Sequence, residues 1–192
     1  MILLAIAFSI PIISLIWARY FFFIIRSINK MPIALFYDFI VAIQVLSTYY
    51  YLVFDEIRPI ETQIAASAAY ISATLLFFWS ISTANKLEFA FSDSVGTLIT
   101  NGPFKYVRHP FYTSYIVVWA TNTILFNSIA LWISFVALLA FYYLSALKEE
   151  SLILKSTFAE EYILMRQNVG MFLPRVIQWH RWRSEKSVKK LK

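Results

Sequence analysis

Asn101-Gly-Pro-Phe-Lys-Tyr-Val-Arg-His-Pro-Phe-Tyr112 gathers Asn, Lys, Arg, His and two prolines between long runs of apolar residues. Polar residues this dense beside hydrophobic spans point to a polar site or a membrane interface. Some forty residues later stands the pair Glu149-Glu150. The pattern predicts a helix over Leu144 to Asn168. At 100° per residue, Leu147, Glu150, Leu154, Phe158, Glu161 and Met165 share one sector, while Lys148, Lys155 and Arg166 share another. Glu150 and Glu161 thus fall on an apolar stripe, and Glu149 and Glu160 turn toward water or headgroups. A carboxylate on an apolar face is costly unless it meets a cation or donors. Glu150 therefore either holds a positively charged ligand group or pairs with a basic residue such as Arg108. His109 precedes Pro110 and is restricted to extended backbone; it either shapes the loop or contacts a ligand. Phe111 and Tyr112 read either as ligand contacts or as interface aromatics.

The elements that must position these residues are membrane helices. The chain has 192 residues and is 60% hydrophobic, with 15% charged residues and only three Gly, which excludes disordered and collagen-like classes. Crossing the hydrocarbon core takes roughly 20 apolar residues. Ile2–Ile25, Ile33–Phe54 and Thr62–Ala84 each supply one span, and Phe111–Leu147 supplies two, divided at the polar step Phe126-Asn127-Ser128. The expected fold is all-α, a polytopic bundle of about five transmembrane helices followed by a cytoplasmic C-terminal amphipathic helix. Residues 1–192 form one domain, with three spans in 1–84 and the polar loop, helical hairpin and C-terminal helix in 85–192. The run Met1 to Ile25 lacks a basic leader and a small-residue cleavage site, so it is expected to be a retained span, kinked at Pro11.

Charge in the connections orients the bundle. Arg26 and Lys30 mark the first loop, Asp55, Glu56, Arg58 and Glu61 the second, and Lys86, Lys105 and Arg108 the third. The positive-inside rule puts the first and third loops and the tail from Lys148 on the cytoplasmic side. The net charge of +6, concentrated in the Trp-bearing tail Arg175 to Lys192, reads as attraction to anionic lipid headgroups and not to nucleic acid. His180, between Trp179 and Trp182, reads as a headgroup-level anchor. Arg19, Asp38 and Gln44 are polar groups inside predicted spans and therefore functional candidates, Arg19 being close enough to its helix end to snorkel. With no cysteine and two histidines, disulfides, thiolate chemistry and a metal centre are not expected.

Leu98-Ile-Thr-Asn-Gly-Pro-Phe-Lys-Tyr-Val-Arg-His-Pro-Phe-Tyr-Thr-Ser114, then Glu149-Glu150, Phe158-Ala-Glu-Glu-Tyr162 and Val169-Gly-Met-Phe-Leu-Pro174, resembles the isoprenylcysteine carboxyl methyltransferase family, whose broad signature the phospholipid N-methyltransferases share. The resemblance implies S-adenosylmethionine-dependent methylation of a lipophilic or lipidated acceptor in the membrane, most directly carboxyl methylation of an isoprenylcysteine-like substrate. It implies cofactor contacts at Thr97, Leu98, Ile99, Phe104, His109, Pro110, Phe111, Tyr112 and Glu150. Arg108 would position an acceptor carboxylate. Methyl transfer from a sulfonium needs alignment and desolvation more than acid–base help, and no metal. The chain departs from the family pattern at Ala146, where an arginine contacting the acceptor is common, at Met165 in place of tyrosine, and at Ser114 in place of glycine. Three alternatives are a phospholipid N-methyltransferase, an NADPH-dependent sterol-reductase-like enzyme, against which Thr113-Ser114 stands in place of Gly-Glu, and a non-catalytic scaffold.

Overall fold

In a bilayer each backbone N–H and C=O must be satisfied within its own segment, and runs of Ile, Leu, Phe and Ala meet that demand as helices. The computed structural model describes residues 1–21, 31–84 and 98–175. The end of the first predicted span (22–25), Arg26, Lys30, Lys86, Thr97 and the tail with Trp179, His180 and Trp182 lie outside the described residues. Helix α1 spans Ile2–Phe21, α2 Met31–Phe54, α3 Ile60–Ala84, α4 Pro110–Phe126, α5 Ile129–Ile153 and α6 Ala159–Asn168, with a 3₁₀ turn at Gly102–Lys105. No strand occurs among the described residues; one parallel bridge joins Val107 to Gly170.

α1 continues through Pro11. Hydroxyl side chains are tolerated in these helices because they donate back to the preceding turn, as Ser14 Oγ does to Ile10 O, Thr48 Oγ1 to Gln44 O, Thr74 Oγ1 to Tyr70 O and Thr123 Oγ1 to Trp119 O. α4 begins with Pro110 at its first turn, where no N–H is needed. It ends at Asn127, which takes φ 48° and ψ 40°, a left-handed conformation that Asn adopts more readily than most residues. Asn127 Oδ1 accepts a hydrogen bond from Trp132 Nε1 at 2.9 Å, closing the hairpin where the polar step predicted it.

α3 packs between α1 and α4, α5 packs between α4 and α2, and α1 meets α2 to complete the bundle. Trp119, Tyr70, Tyr142, Phe8, Leu4, Leu131 and Leu138 fill the interior, while Ile13, Phe39, Leu46, Leu75, Ile124 and Ile133 face outward. Outward apolar side chains are what a lipid-facing surface requires. Four helical stretches, Ile2–Arg19, Ile33–Phe54, Ile60–Ala84 and Ile129–Ile153, are long and apolar enough to cross a membrane. α4 has 17 residues, about 26 Å at 1.5 Å per residue, and falls just below that length; the expected five spans are thus met by four on length and composition. Its limits are set by Pro110 and Asn127.

The continuous helix predicted over Leu144 to Asn168 is corrected. α5 ends at Ile153, residues 154–158 form turns, and α6 starts at Ala159. Ser156 supplies the break: its Oγ donates to Ile153 O at 2.7 Å and accepts from Phe158 N at 3.2 Å, competing with helical bonds. The shared stripe therefore dissolves. Glu150 is buried, whereas Glu161 is exposed, and α6 turns Tyr162 and Met165 inward instead.

Candidate functional site

The site lies where the loop before α4 meets the end of α5 and the end of α6. Gly102 starts this loop with φ +54°, and a Cβ there would fall 2.4 Å from Thr83 Oγ1, so only glycine lets the turn lie against α3. Phe104 and Phe111 then pack edge to face, and Phe111 meets Phe77 of α3 at 5.8 Å. Beyond the turn the chain runs extended beside the segment after α6. Arg108 N donates to Gly170 O at 2.8 Å and His109 N to Met171 O at 3.1 Å. These two bonds join segments sixty residues apart and aim the Arg108 and His109 side chains at α5.

Both side chains converge on Glu150. Arg108 Nε and Nη2 reach Glu150 Oε1 at 3.0 and 2.8 Å, and His109 Nε2 reaches the same oxygen at 3.3 Å. The Arg108 and Glu150 side chains are only 5% and 3% exposed. Arg108 Nη1 donates to Val169 O at 2.5 Å and to Arg166 O at 3.4 Å, placing its charge on the free carbonyls that end α6. Each guanidinium nitrogen is thus already engaged. Of the two readings for Glu150, the ion pair with Arg108 is present.

Three donors crowd onto Oε1, and the other oxygen is left over. Glu150 Oε2 is buried and makes no hydrogen bond; Arg166 Nε, on a half-exposed side chain, lies 3.5 Å from it. The Tyr162 hydroxyl is also buried and faces the Glu150 and Arg108 side chains, close to both but without a well-formed hydrogen bond to either. A buried polar atom without a partner costs about 1–3 kcal/mol and calls for an explanation.

Glu149 does not simply face water. Its Oε2 lies 3.2 Å from His109 Nδ1, and its Oε1 accepts a short hydrogen bond from the Tyr112 hydroxyl. Both imidazole nitrogens therefore face carboxylates. Burial alone would push the His109 pKa down, but the hydrogen bonds and charges of Glu149 and Glu150 prevail and raise it above its ordinary value. Burial raises the Tyr162 hydroxyl further from ionisation, so it stays a donor. Tyr112 stacks on Tyr142 at 5.4 Å, and Tyr142 Oη accepts from Trp119 Nε1 at 2.9 Å, backing the site with an aromatic layer.

The structure thus brings together Arg108, His109, Tyr112 and Glu150 from the predicted set. Phe104, Pro110 and Phe111 are buried, the two phenylalanines toward α3, while Leu98 and Ile99 are half-buried against the core. Ala146 is fully buried one turn before the Glu pair. Sequence reasoning passed over Glu149, Tyr162, Arg166 and Gly170 as site residues. Glu149, Tyr162 and Gly170 appear there only as letters of a family signature, because the pairing of Gly170 with Val107 that assembles the site is a long-range contact with no local periodicity. Among the described residues no group of three His, Cys, Asp or Glu side chains is arranged to hold a metal ion. Arg19 and Asp38 form an ion pair at 2.9 Å between α1 and α2, and Gln44 Nε2 donates to Leu131 O and Ser134 Oγ.

No curated protein and no solved structure matches the chain. Residues 66–155 match the model of the isoprenylcysteine carboxyl methyltransferase (ICMT) family, from the first turns of α3 to just beyond α5. That match takes in the whole loop, Arg108, His109, Tyr112 and both glutamates. Over this segment, just under half of the chain, the sequence is similar to the isoprenylcysteine carboxyl methyltransferase family, a family of methyltransferases.

Proposed function

We propose that the protein is an S-adenosylmethionine-dependent methyltransferase acting on a lipophilic acceptor within the membrane, the acceptor being an isoprenylcysteine-like carboxylate. The observation that carries this reading is Glu150: a buried carboxylate inside the family-matched segment, fixed through Oε1, with Oε2 making no hydrogen bond and only a loose ion pair to Arg166. A free, desolvated carboxylate oxygen is suited to a cationic group, and the amino-acid end of this cofactor carries an ammonium. When bound, S-adenosylmethionine supplies a methyl group activated on a sulfonium sulfur.

The chain's own residues do the positioning. Glu150 takes the cationic end of the cofactor, with Leu98, Ile99, Phe104, His109, Pro110, Phe111 and Tyr112 along its length. Arg108 holds Glu150 and the end of α6 in register and acts by orientation, since its guanidinium nitrogens are committed. His109 and Tyr112 fix Glu149, and the Tyr112–Tyr142–Trp119 layer keeps water from the membrane side. An acceptor carboxylate is nucleophilic without losing a proton, so the residues need only align and desolvate it. The acceptor enters laterally from the bilayer, between α6 and a membrane helix, with the loop and C-terminus on the cytoplasmic side.

Calorimetric titration of the detergent-purified protein with S-adenosylmethionine or S-adenosylhomocysteine, with NADPH in parallel, tests this reading. Saturable binding of the sulfur compounds is expected. Glu150→Gln and His109→Ala, checked for folding by their melting profiles, should bind at least about tenfold more weakly, the loss of one charge-assisted contact. Unchanged affinity in a folded variant would remove the site assignment. NADPH binding alone would favour a reductase, and binding of neither a scaffold.

A further inference from the structure

We propose that Arg166 and Glu150, with the Tyr162 hydroxyl, form a receptor for a zwitterionic α-amino acid end, Arg166 taking its carboxylate while Glu150 Oε2 takes its ammonium. This rests on the cofactor assignment above and adds to it a residue with which none of its cofactor contacts is made.

Three observations meet at one place. Glu150 Oε2 is buried and accepts no hydrogen bond, although three donors reach its sister oxygen. Arg166 Nε is 3.5 Å away, beyond a well-formed charged hydrogen bond, on a side chain that is 50% exposed. The Tyr162 hydroxyl, one turn earlier on α6, is buried and makes no well-formed hydrogen bond. An anion acceptor and a neutral donor without hydrogen bonds, and a cation held to that acceptor only by a 3.5 Å ion pair, thus stand within one turn of α6 and the last turn of α5.

Alternative cations are accounted for. Arg108 is committed to Glu150 and the α6 carbonyls, and Arg175 donates to Gln167 O. Lys148 lies on the opposite sector of α5 and is exposed. Arg166 alone approaches the unpartnered oxygen among the described residues. Its loose contact is what an exchangeable counter-ion requires. An ammonium entering at Oε2 satisfies the orphaned acceptor, and the released guanidinium turns to the carboxylate of the same molecule, two charges being compensated at once.

The test separates the amino-acid end from the rest of the ligand. S-adenosylhomocysteine carries that end; 5′-methylthioadenosine keeps the nucleoside and thioether and lacks it. Wild type should bind S-adenosylhomocysteine more tightly than 5′-methylthioadenosine. Arg166→Gln should lose at least about tenfold for the former and leave the latter unchanged, and Arg166→Lys should recover part of the loss. Equal weakening toward both ligands, or none toward S-adenosylhomocysteine, overturns the receptor while leaving the cofactor assignment standing. Failure of wild type to bind S-adenosylhomocysteine overturns both. Arg166 is half-exposed and its side chain makes no hydrogen bond, so the variants are expected to keep the wild-type melting temperature, which the same samples report.

Discussion

His109 has a carboxylate on each ring nitrogen, at 3.2 Å from Glu149 and 3.3 Å from Glu150, a setting that only the doubly protonated ring satisfies. Its pKa is raised, so the stabilisation it provides is fully present below the ordinary value of about 6.5 and is lost as pH climbs through the higher native value. The melting-temperature advantage of wild type over His109→Gln should therefore be largest near pH 6 and shrink toward pH 9. A constant advantage across that range would mean that the ring stays neutral. The same arrangement offsets an unfavourable feature of α5, two carboxylates in its last turns, where the helix dipole is negative. Arg108 and His109 supply the positive charge there.

At the level of elements, the site depends on the pairing of residues 107–109 with 169–171. Gly170 is needed for it: a Cβ would lie 1.9 Å from Leu173 O, and backbone cannot give way as a side-chain tip can. Gly170→Ala should open the turn and disturb the bonds from Arg108 N and His109 N to Gly170 O and Met171 O. The expected cost exceeds about 1 kcal/mol in thermal or denaturant unfolding, with weakened cofactor binding beside it. A variant of wild-type stability would show that the turn relaxes freely. The break between α5 and α6 belongs to this scale too. It lets α6 fold back so that its last carbonyls meet Arg108, which a straight helix to Asn168 would carry away from the loop.

The bundle as a whole is held by packing and by a few polar ties that cross between helices. Tyr70 Oη donates to Asn122 Oδ1 at 2.7 Å, linking α3 to α4, and Gln44 links α2 to α5. Asn122 Nδ2 and Gln44 Oε1 are themselves buried without partners. Tyr70→Phe should leave both polar atoms of Asn122 unpaired and lower stability by about 0.6–1.7 kcal/mol, the span seen for hydrogen bonds between membrane helices. Detergent unfolding of the pair of proteins measures it; equal midpoints would show that the tie is replaced by another contact. The outward faces carry almost only apolar side chains, and the polar residues turned inward at one end of α4 and α5 assemble the site.

The amino-acid sequence by itself determined the all-α membrane class, the limits of the spans to within a few residues, and the hairpin at Asn127, because length, hydropathy and a left-handed Asn are local properties. It also singled out the Arg108–Tyr112 loop and Glu150, since charge amid apolar runs is visible without a fold. It misread residues 154–158 as helix, for Lys155-Ser156-Thr157 contains neither Gly nor Pro and the break arises from Ser156 competing for backbone groups. Whether Glu150 would meet a ligand or Arg108 was open on the wheel, which gives direction and not distance. Only the tertiary structure decided that Arg108 is spent on Oε1, that Oε2 accepts no hydrogen bond, and that Arg166 and Tyr162 stand beside it. Those facts depend on two extended segments, sixty residues apart, lying side by side, and no local pattern encodes such a pairing.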